Sequence, residues 1–226
     1  MNVLIACEES QRVCIAFRDR GHKAFSCDIQ KCSGGHPEWH IKGDVLLYLS
    51  PVHILNGIKG IHFQTCDDKY HFIEKWDLII AHPPCTYMSK AGARWLHCNG
   101  GINQDRLAKA MDAKKFFFEI YNADCEKICI ENPVPLKIIN LPKETQRIQP
   151  YDYGEFYSKC TCLWLKNLPF LIPTSLSQLH EPFLSSNTSQ FSKGKGGSKG
   201  VARNAKTASK TFEGIAKAMA EQWGKL

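Results

Sequence analysis

No stretch of this chain approaches the ~18–20 consecutive apolar residues that a membrane span requires. Its opening residues, MNVLIACEES, turn acidic after a short apolar run, where a secretory leader would begin basic. The expectation is a cytoplasmic protein with no membrane association. The chain also lacks any Cys-x-x-Cys pair, any internal repeat, and any Gly-x-Gly-x-x-Gly after its first apolar run. These absences argue against the commonest zinc-ligand spacing, a solenoid, and the phosphate loop of a dinucleotide-binding fold. No acidic residue occurs between Ser185 and Lys210, a segment that carries Lys193, Lys195, Lys199, Arg203, Lys206 and Lys210 together with four glycines.

What is present describes a folded chain. Of the 226 residues 43% are hydrophobic and 11% aromatic, enough apolar surface for a core, and one domain with an appendage is expected. The eleven cysteines are odd in number and several (Cys14, Cys27, Cys129, Cys162) sit inside apolar runs, so they read as buried thiols in a reducing compartment. The formal charge of +7 suits a polyanionic partner, and its concentration in Ser185–Lys210 marks a basic loop that either follows a phosphate backbone or is a solvated linker.

Apolar runs and helical spacings alternate along the chain. Asn2–Ala6 predicts a strand, Gln11–Gly21 a helix and His22–Ile29 a second strand, a βαβ unit whose strands must run parallel. Val45–Leu49 predicts a further short element, and Trp76–Ala81, Lys127–Glu131 and Thr161–Leu165 predict strands. Helices are predicted over Arg106–Asn122 and Thr211–Trp223. This order predicts an open α/β sheet that binds its ligand beyond the carboxyl ends of the strands, where Cys7–Glu9, Asp28, Asp44, Pro83–Cys85 and Glu131–Pro133 would converge.

Those residues are chemically pointed. Asp28 ends the second strand where an acid can accept hydrogen bonds from ribose hydroxyls, and Asp44 supplies a second acceptor suited to an adenine amino group; each is equally readable as a turn acid. Glu8 and Glu9 stand where a phosphate-binding loop would offer bare N–H groups. They disfavour a pyrophosphate and suit a cationic, phosphate-free nucleoside such as S-adenosylmethionine, or else they cap the helix. Pro83 and Pro84 fix the backbone before Cys85, which is then a positioned thiol able to act as a nucleophile, while Glu131-Asn132-Pro133 supplies a carboxyl group for proton transfer. Cys160-x-Cys162 is expected on one strand, pointing into the core rather than at a metal, and no metal site is expected.

In these segments the chain resembles the DNA cytosine-5 methyltransferase family, with HPPC at the nucleophile motif, IENP at the Glu-Asn motif, SCDI and KGDV at two cofactor acids, and TFEGIAKAMA at the C-terminal helix. The resemblance implies a compact phage or prophage type of member: a Rossmann-like S-adenosylmethionine-dependent methyltransferase with a mostly parallel sheet, acting on DNA without an obligate protein partner. It implies a catalytic core over 1–167, a small basic recognition region over 168–210 and a returning helix over 211–226. It implies attack on C6 of a flipped cytosine by Cys85 and protonation of N3 through Glu131. Cofactor contacts are implied at Cys7, Glu8, Asp28, Ile29, Asp44, Pro83, Thr211 and Gly214, and DNA contacts at Ser89, Lys90, Lys193, Lys195, Lys199 and Arg203. The family's Phe-x-Gly-x-Gly is replaced by Cys7-Glu8-Glu9-Ser10-Gln11, and its Gln-Arg-x-Arg has no copy. Lys159-Cys160-Thr161 is the nearest placement, so Lys159 and Thr161 stand for that contact to the base. A catalytically silent DNA-binding protein on the same frame, and methylation of another pyrimidine in RNA or a free nucleotide, are the alternatives.

Overall fold

The computed structural model describes residues 1–98, 100–155, 157–175, 184–185 and 210–226. Lys193, Lys195, Lys199 and Arg203 lie outside the described residues.

The first element is β1 (Asn2–Ala6), followed by α1 (Arg12–Arg18) and β2 (Lys23–Asp28), and the two strands pair in parallel as expected. Next come β3 (His40–Lys42) and a 3-10 turn, Val45–Tyr48, where the sequence predicts the short element itself. Strands β4 (His53–Leu55), β5 (Ile58–Gln64) and β6 (Tyr70–Ile73) form a separate antiparallel meander. The chain continues through β7 (Leu78–Ala81), a small ladder of β8 (His97–Cys98) with β9 (Gly101–Ile102), α2 (Gln104–Tyr121), β10 (Ile128–Pro133), β11 (Gln146–Ile148), β12 (Tyr157–Ser158), β13 (Thr161–Lys166), β14 (Leu184–Ser185) and α3 (Glu213–Trp223). The central sheet has seven strands in the order β11-β13-β10-β7-β1-β2-β3. Strands β3, β2, β1, β7 and β10 are mutually parallel, and β13 runs antiparallel to both of its neighbours.

The strands are apolar on both faces because helices cover both. Val3, Ile5, Leu78, Ile80, Cys129, Leu163 and Leu165 join Val13 and Phe17 of α1 and Ile215, Met219 and Trp223 of α3 in one buried cluster. Their alternate neighbours Leu4, Ala6, Ile79, Ala81, Ile128, Ile130, Cys162 and Trp164 pack with Phe117 and Ile120 of α2 and with Ile61 and Phe63 of the meander. The period of two along each strand thus divides the core into two layers. Cys14, Cys27, Cys129 and Cys162 are buried free thiols, as read from the sequence. Cys160 corrects the sequence reading: it precedes β13 and is half-buried, so it does not share the strand face of Cys162. Among the described residues no helix is long and apolar enough to cross a membrane.

Helix α3 lies close against α1 and the 150–154 turn, with Ala216, Ala218 and Ala220 all buried. Gly214 makes this approach possible, since a Cβ there would overlap the carbonyl oxygen of Tyr153. The stretch Leu168–Ile172, assigned by sequence to the recognition region, is fastened to the same layer. Leu171 is buried, its carbonyl accepts from Tyr153 Oη at 3.0 Å, and Trp223 Nε1 donates to the carbonyl of Pro169 at 3.1 Å. Gly214→Ala is expected to destabilise the fold by about 1–3 kcal/mol through overpacking. For a chain of this size that lowers the thermal midpoint by roughly 3–10 °C, measurable by calorimetry.

Candidate active site

Four parallel strands end level with one another. Register pairs Ala6 with Cys27 and with Ala81, and Ala81 with Ile130, so the next residues along, Asp28, Cys7, His82 and Glu131, form a row across the carboxyl edge of the sheet. Because β13 is antiparallel, its amino end reaches the same edge: Thr161 pairs with Pro133, and Lys159 precedes it. Above this row lies a crevice of about 660 Å³. Its lining includes the expected Cys7, Glu8, Glu9, Asp28, Pro83, Cys85, Ser89, Glu131, Lys159 and Thr211, and also His82, Trp95, Arg106 and Lys210. A second cavity of about 580 Å³, lined by Lys75, Asp77, Asp124 and Lys127, lies at the opposite edge.

The β1–α1 loop enters and leaves through left-handed residues, Cys7 and Gln11, both at φ 59°. Gln11 is fully buried, and its amide clamps the loop to His36, accepting from its backbone N–H at 3.1 Å and donating to its carbonyl at 2.8 Å. Glu8 bends back over the helix start and accepts from the N–H groups of Val13 at 2.8 Å and Cys14 at 3.2 Å. The geometry therefore gives Glu8 the capping role. Burial pushes its carboxyl pKa up, opposed by the charge of His82 and by these two hydrogen bonds. Asp28 accepts from the backbone N–H of Gln30 at 2.8 Å and presents its carboxyl group to the crevice.

Other expected residues are placed elsewhere. Asp44 caps the 3-10 turn, accepting from Leu46 N–H at 3.0 Å, and is not among the crevice-lining residues. The third strand ends before it, which leaves Asp44 beyond the aligned row. Ile29 is 74% exposed beside the crevice, and Gly214 serves helix packing, with its N–H donated to Glu155 at 3.1 Å. Thr161 is buried beneath the lining and donates its hydroxyl to the carbonyl of Lys159 at 3.1 Å, so it supports Lys159 rather than reaching a ligand. Ser89 is buried in the crevice wall, and Lys90 is exposed outside it.

The two motifs that bear the chemistry are tied together by backbone. Asn132 donates its side-chain amide to the carbonyl of Pro83 at 3.2 Å, Lys90 N–H bonds the carbonyl of Val134, and Leu136 N–H bonds that of Met88. Arg106, at the start of α2, donates to the carbonyl of Thr86 at 2.9 Å and lies over the ring of Tyr87. Cys85 is thereby held between two strands' loops. Burial raises its thiol pKa, the Glu131 charge raises it further, and the Lys159 ammonium pulls it down.

Glu131 Oε2 accepts from His82 Nδ1 at 3.0 Å, and both side chains are almost fully buried. Burial works to raise the Glu131 pKa, but the hydrogen bond and charge of His82 together with the charge of Lys159 hold it below the usual carboxylate value. Burial likewise works to lower that of His82, and Glu131 and Glu8 outweigh it, so the imidazole is more basic than usual. Both directions favour an imidazolium facing a carboxylate. Sequence reasoning missed His82 because a single histidine before two prolines carries no signal of its own. In the sequence Arg106 marks only a helix start and Lys210 only one of the basic residues of Ser185–Lys210, and Trp95 stands in no recognisable motif. Among the described residues no group of three His, Cys, Asp or Glu side chains is arranged to hold a metal ion.

No family model and no curated protein matches the chain. Among solved structures, a crystal structure of a provisionally assigned DNA modification methyltransferase encoded within a prophage (E. coli) is similar over 82% of this chain, with a TM-score of 0.40 and 13% identity. The chain spans about half of that protein, 53% of its length. The fold rests on the strand order itself.

The electrostatics can be read directly. Lys159→Met is expected to shift the pH at which Cys85 becomes alkylated by iodoacetamide upward, and Glu131→Gln to shift it downward. Mass spectrometry of the Cys85 peptide over a pH series gives both shifts; a Glu131→Gln shift in the upward direction would contradict the arrangement.

Proposed function

We propose that this protein is an S-adenosylmethionine-dependent DNA cytosine-5 methyltransferase, with Cys85 as nucleophile and Glu131 as the group that serves the ring nitrogen. The observation that carries this reading is the meeting of Cys85, Glu131 and Lys159 in one crevice that Glu9 and Asp28 also line. A thiol and a carboxyl group on adjacent strand ends are the equipment for addition across the 5,6 bond of a pyrimidine. The doubly wound, mostly parallel sheet agrees with a Rossmann-like frame.

The residues present fit the cofactor. At the start of α1 the N–H groups of Val13 and Cys14, which a phosphate would need, are already taken by Glu8. A cationic nucleoside instead suits the negative charge of Glu9 and Asp28, with Asp28 disposed for ribose hydroxyls and Cys7, Pro83 and Thr211 for van der Waals contact. S-adenosylmethionine, when bound, supplies the methyl group. The chain's own residues do the rest. Pro83 and Pro84 orient the thiol, Lys159 favours its ionisation, and Asn132 and Arg106 keep its loop in place. DNA is the proposed partner, with Lys159, Arg106 and Lys210 as cations of the crevice and the basic residues of Ser185–Lys210 for the backbone phosphates.

Bisulfite sequencing of plasmid DNA from cells expressing the chain tests the reading, with methylated cytosines expected. Cys85→Ser should abolish them while leaving DNA binding within about twofold, because a hydroxyl is far less nucleophilic than a partly ionised thiol. DNA carrying 5-fluorocytosine should trap the wild type covalently in the presence of cofactor, and absence of a trapped complex from an enzyme that methylates would remove Cys85 from the mechanism. Asp28→Ala should weaken cofactor binding in titration calorimetry by about 1.5–3 kcal/mol, tenfold to a hundredfold. Unchanged affinity in the folded variant would exclude Asp28 as a cofactor ligand.

A further inference from the structure

The pairing of His82 with Glu131 is not required by the reading above, and it changes how the carboxyl group works. A carboxylate already facing an imidazolium has no proton of its own to give, yet adduct formation needs one at the ring nitrogen. His82 Nδ1 lies 3.0 Å from Glu131 Oε2, and its Nε2 is buried with no hydrogen-bond partner. Strand register fixes the contact, since Ala81 and Ile130 are paired neighbours and His82 and Glu131 follow them. The charged groups that bear on the imidazole are Glu131 from β10, Glu8 from the β1–α1 loop and Lys159 from the segment before β13. Two of these are carboxylates, so the pocket supports a cation at His82 between them.

We propose that His82 is the proton reservoir of Glu131: its Nδ1 proton passes through the Glu131 carboxyl group to N3 of the bound cytosine as the Cys85 sulfur bonds to C6. This rests on the cytosine-5 reading. In the step, the thiol proton leaves to water, the sulfur lone pair forms the S–C6 bond, the 5,6 π pair becomes the C4–C5 π bond, and the N3–C4 π pair moves onto N3. N3 takes the proton from Glu131, which is replaced from His82, and His82 becomes neutral. When the adduct collapses, the S–C6 bond breaks, the N3 proton returns through Glu131 to His82, and the sulfur regains a proton from water. His82 acts through Glu131 and is a positioning and proton-supplying residue, not one that touches the base.

The test uses release of tritium from C5 of cytosine in DNA without cofactor, which reads adduct formation alone, alongside methyl transfer, each over about pH 6–9.5. His82→Asn retains a donor near the Nδ1 position but holds no transferable proton, leaving buried Glu131 to serve as its own acid. Its basic limb is expected to move towards lower pH by about one unit or more, with the KM for DNA unchanged within about twofold and the rate recovering towards pH 6. A uniform loss of rate with the limb unmoved would make His82 a structural support and overturn the relay. In the wild type, ¹⁵N imidazole resonances must show His82 losing its proton at the pH of the basic limb; a mismatch overturns the relay even if the variant fails to fold. Absence of both tritium release and methyl transfer in the wild type would overturn the cytosine-5 reading, and the relay with it, whereas activity with an unmoved limb sinks the relay alone.

Discussion

The parallel register of β2, β1, β7 and β10 is the constraint on which the rest of the molecule depends. Parallel strands cannot be joined by tight hairpins, so each crossover carries the chain over one face of the sheet and returns it to the same edge. Four successive strands therefore discharge their loops at one place, with Asp28, Cys7, His82 and Glu131 abreast. A one-residue slip of β10 against β7 would turn Glu131 to the other face and separate it from His82. Burial of both faces makes that slip costly, since it would exchange Ile128 and Ile130 with Cys129 between two packed layers.

The charges at this edge are supported mutually. His82 faces Glu131 in a setting where each alone would be expensive to ionise, and removing one partner of such a pair typically costs ~3–5 kcal/mol because the other is left buried and unpaired. Glu8 bears its burial by capping α1, which also closes the helix start to phosphate. Lys159 is the counterweight. It draws down both the Cys85 thiol and the Glu131 carboxyl, and it stands there only because β13 runs against its neighbours and presents its amino end to the crevice.

The loop geometry carries its own cost. Cys7 and Gln11 occupy left-handed backbone conformations, where glycine would be the easier residue. Gln11 offsets this with three side-chain hydrogen bonds to Ser26 and His36, which fasten the 33–36 segment beside the crevice. The same tight turn is thus made from side-chain bonding in place of glycine flexibility. That is how a chain with no glycine-rich loop after β1 still opens a crevice there.

By itself the sequence determined the α/β class, the parallel β1–α1–β2 unit, and the strands β7, β10 and β13, because continuous apolar runs of these lengths must be buried on both faces. It also marked Cys85, Glu131 and Asp28, since residues at strand ends share one edge in such a sheet. It did not reveal β3, β11 or the β4–β6 meander. Those strands are short or largely exposed, so the apolar signal that betrays a buried strand is weak in them. Nor did it separate Asp28 from Asp44, which differ only in where the preceding strand stops, or assign His82, whose meaning comes from a neighbour 49 residues away. Tertiary structure decided these, because the direction of β13, the row formed by aligned strand ends and the pairing of two buried charges arise from strand order and register, which local residue pattern does not encode.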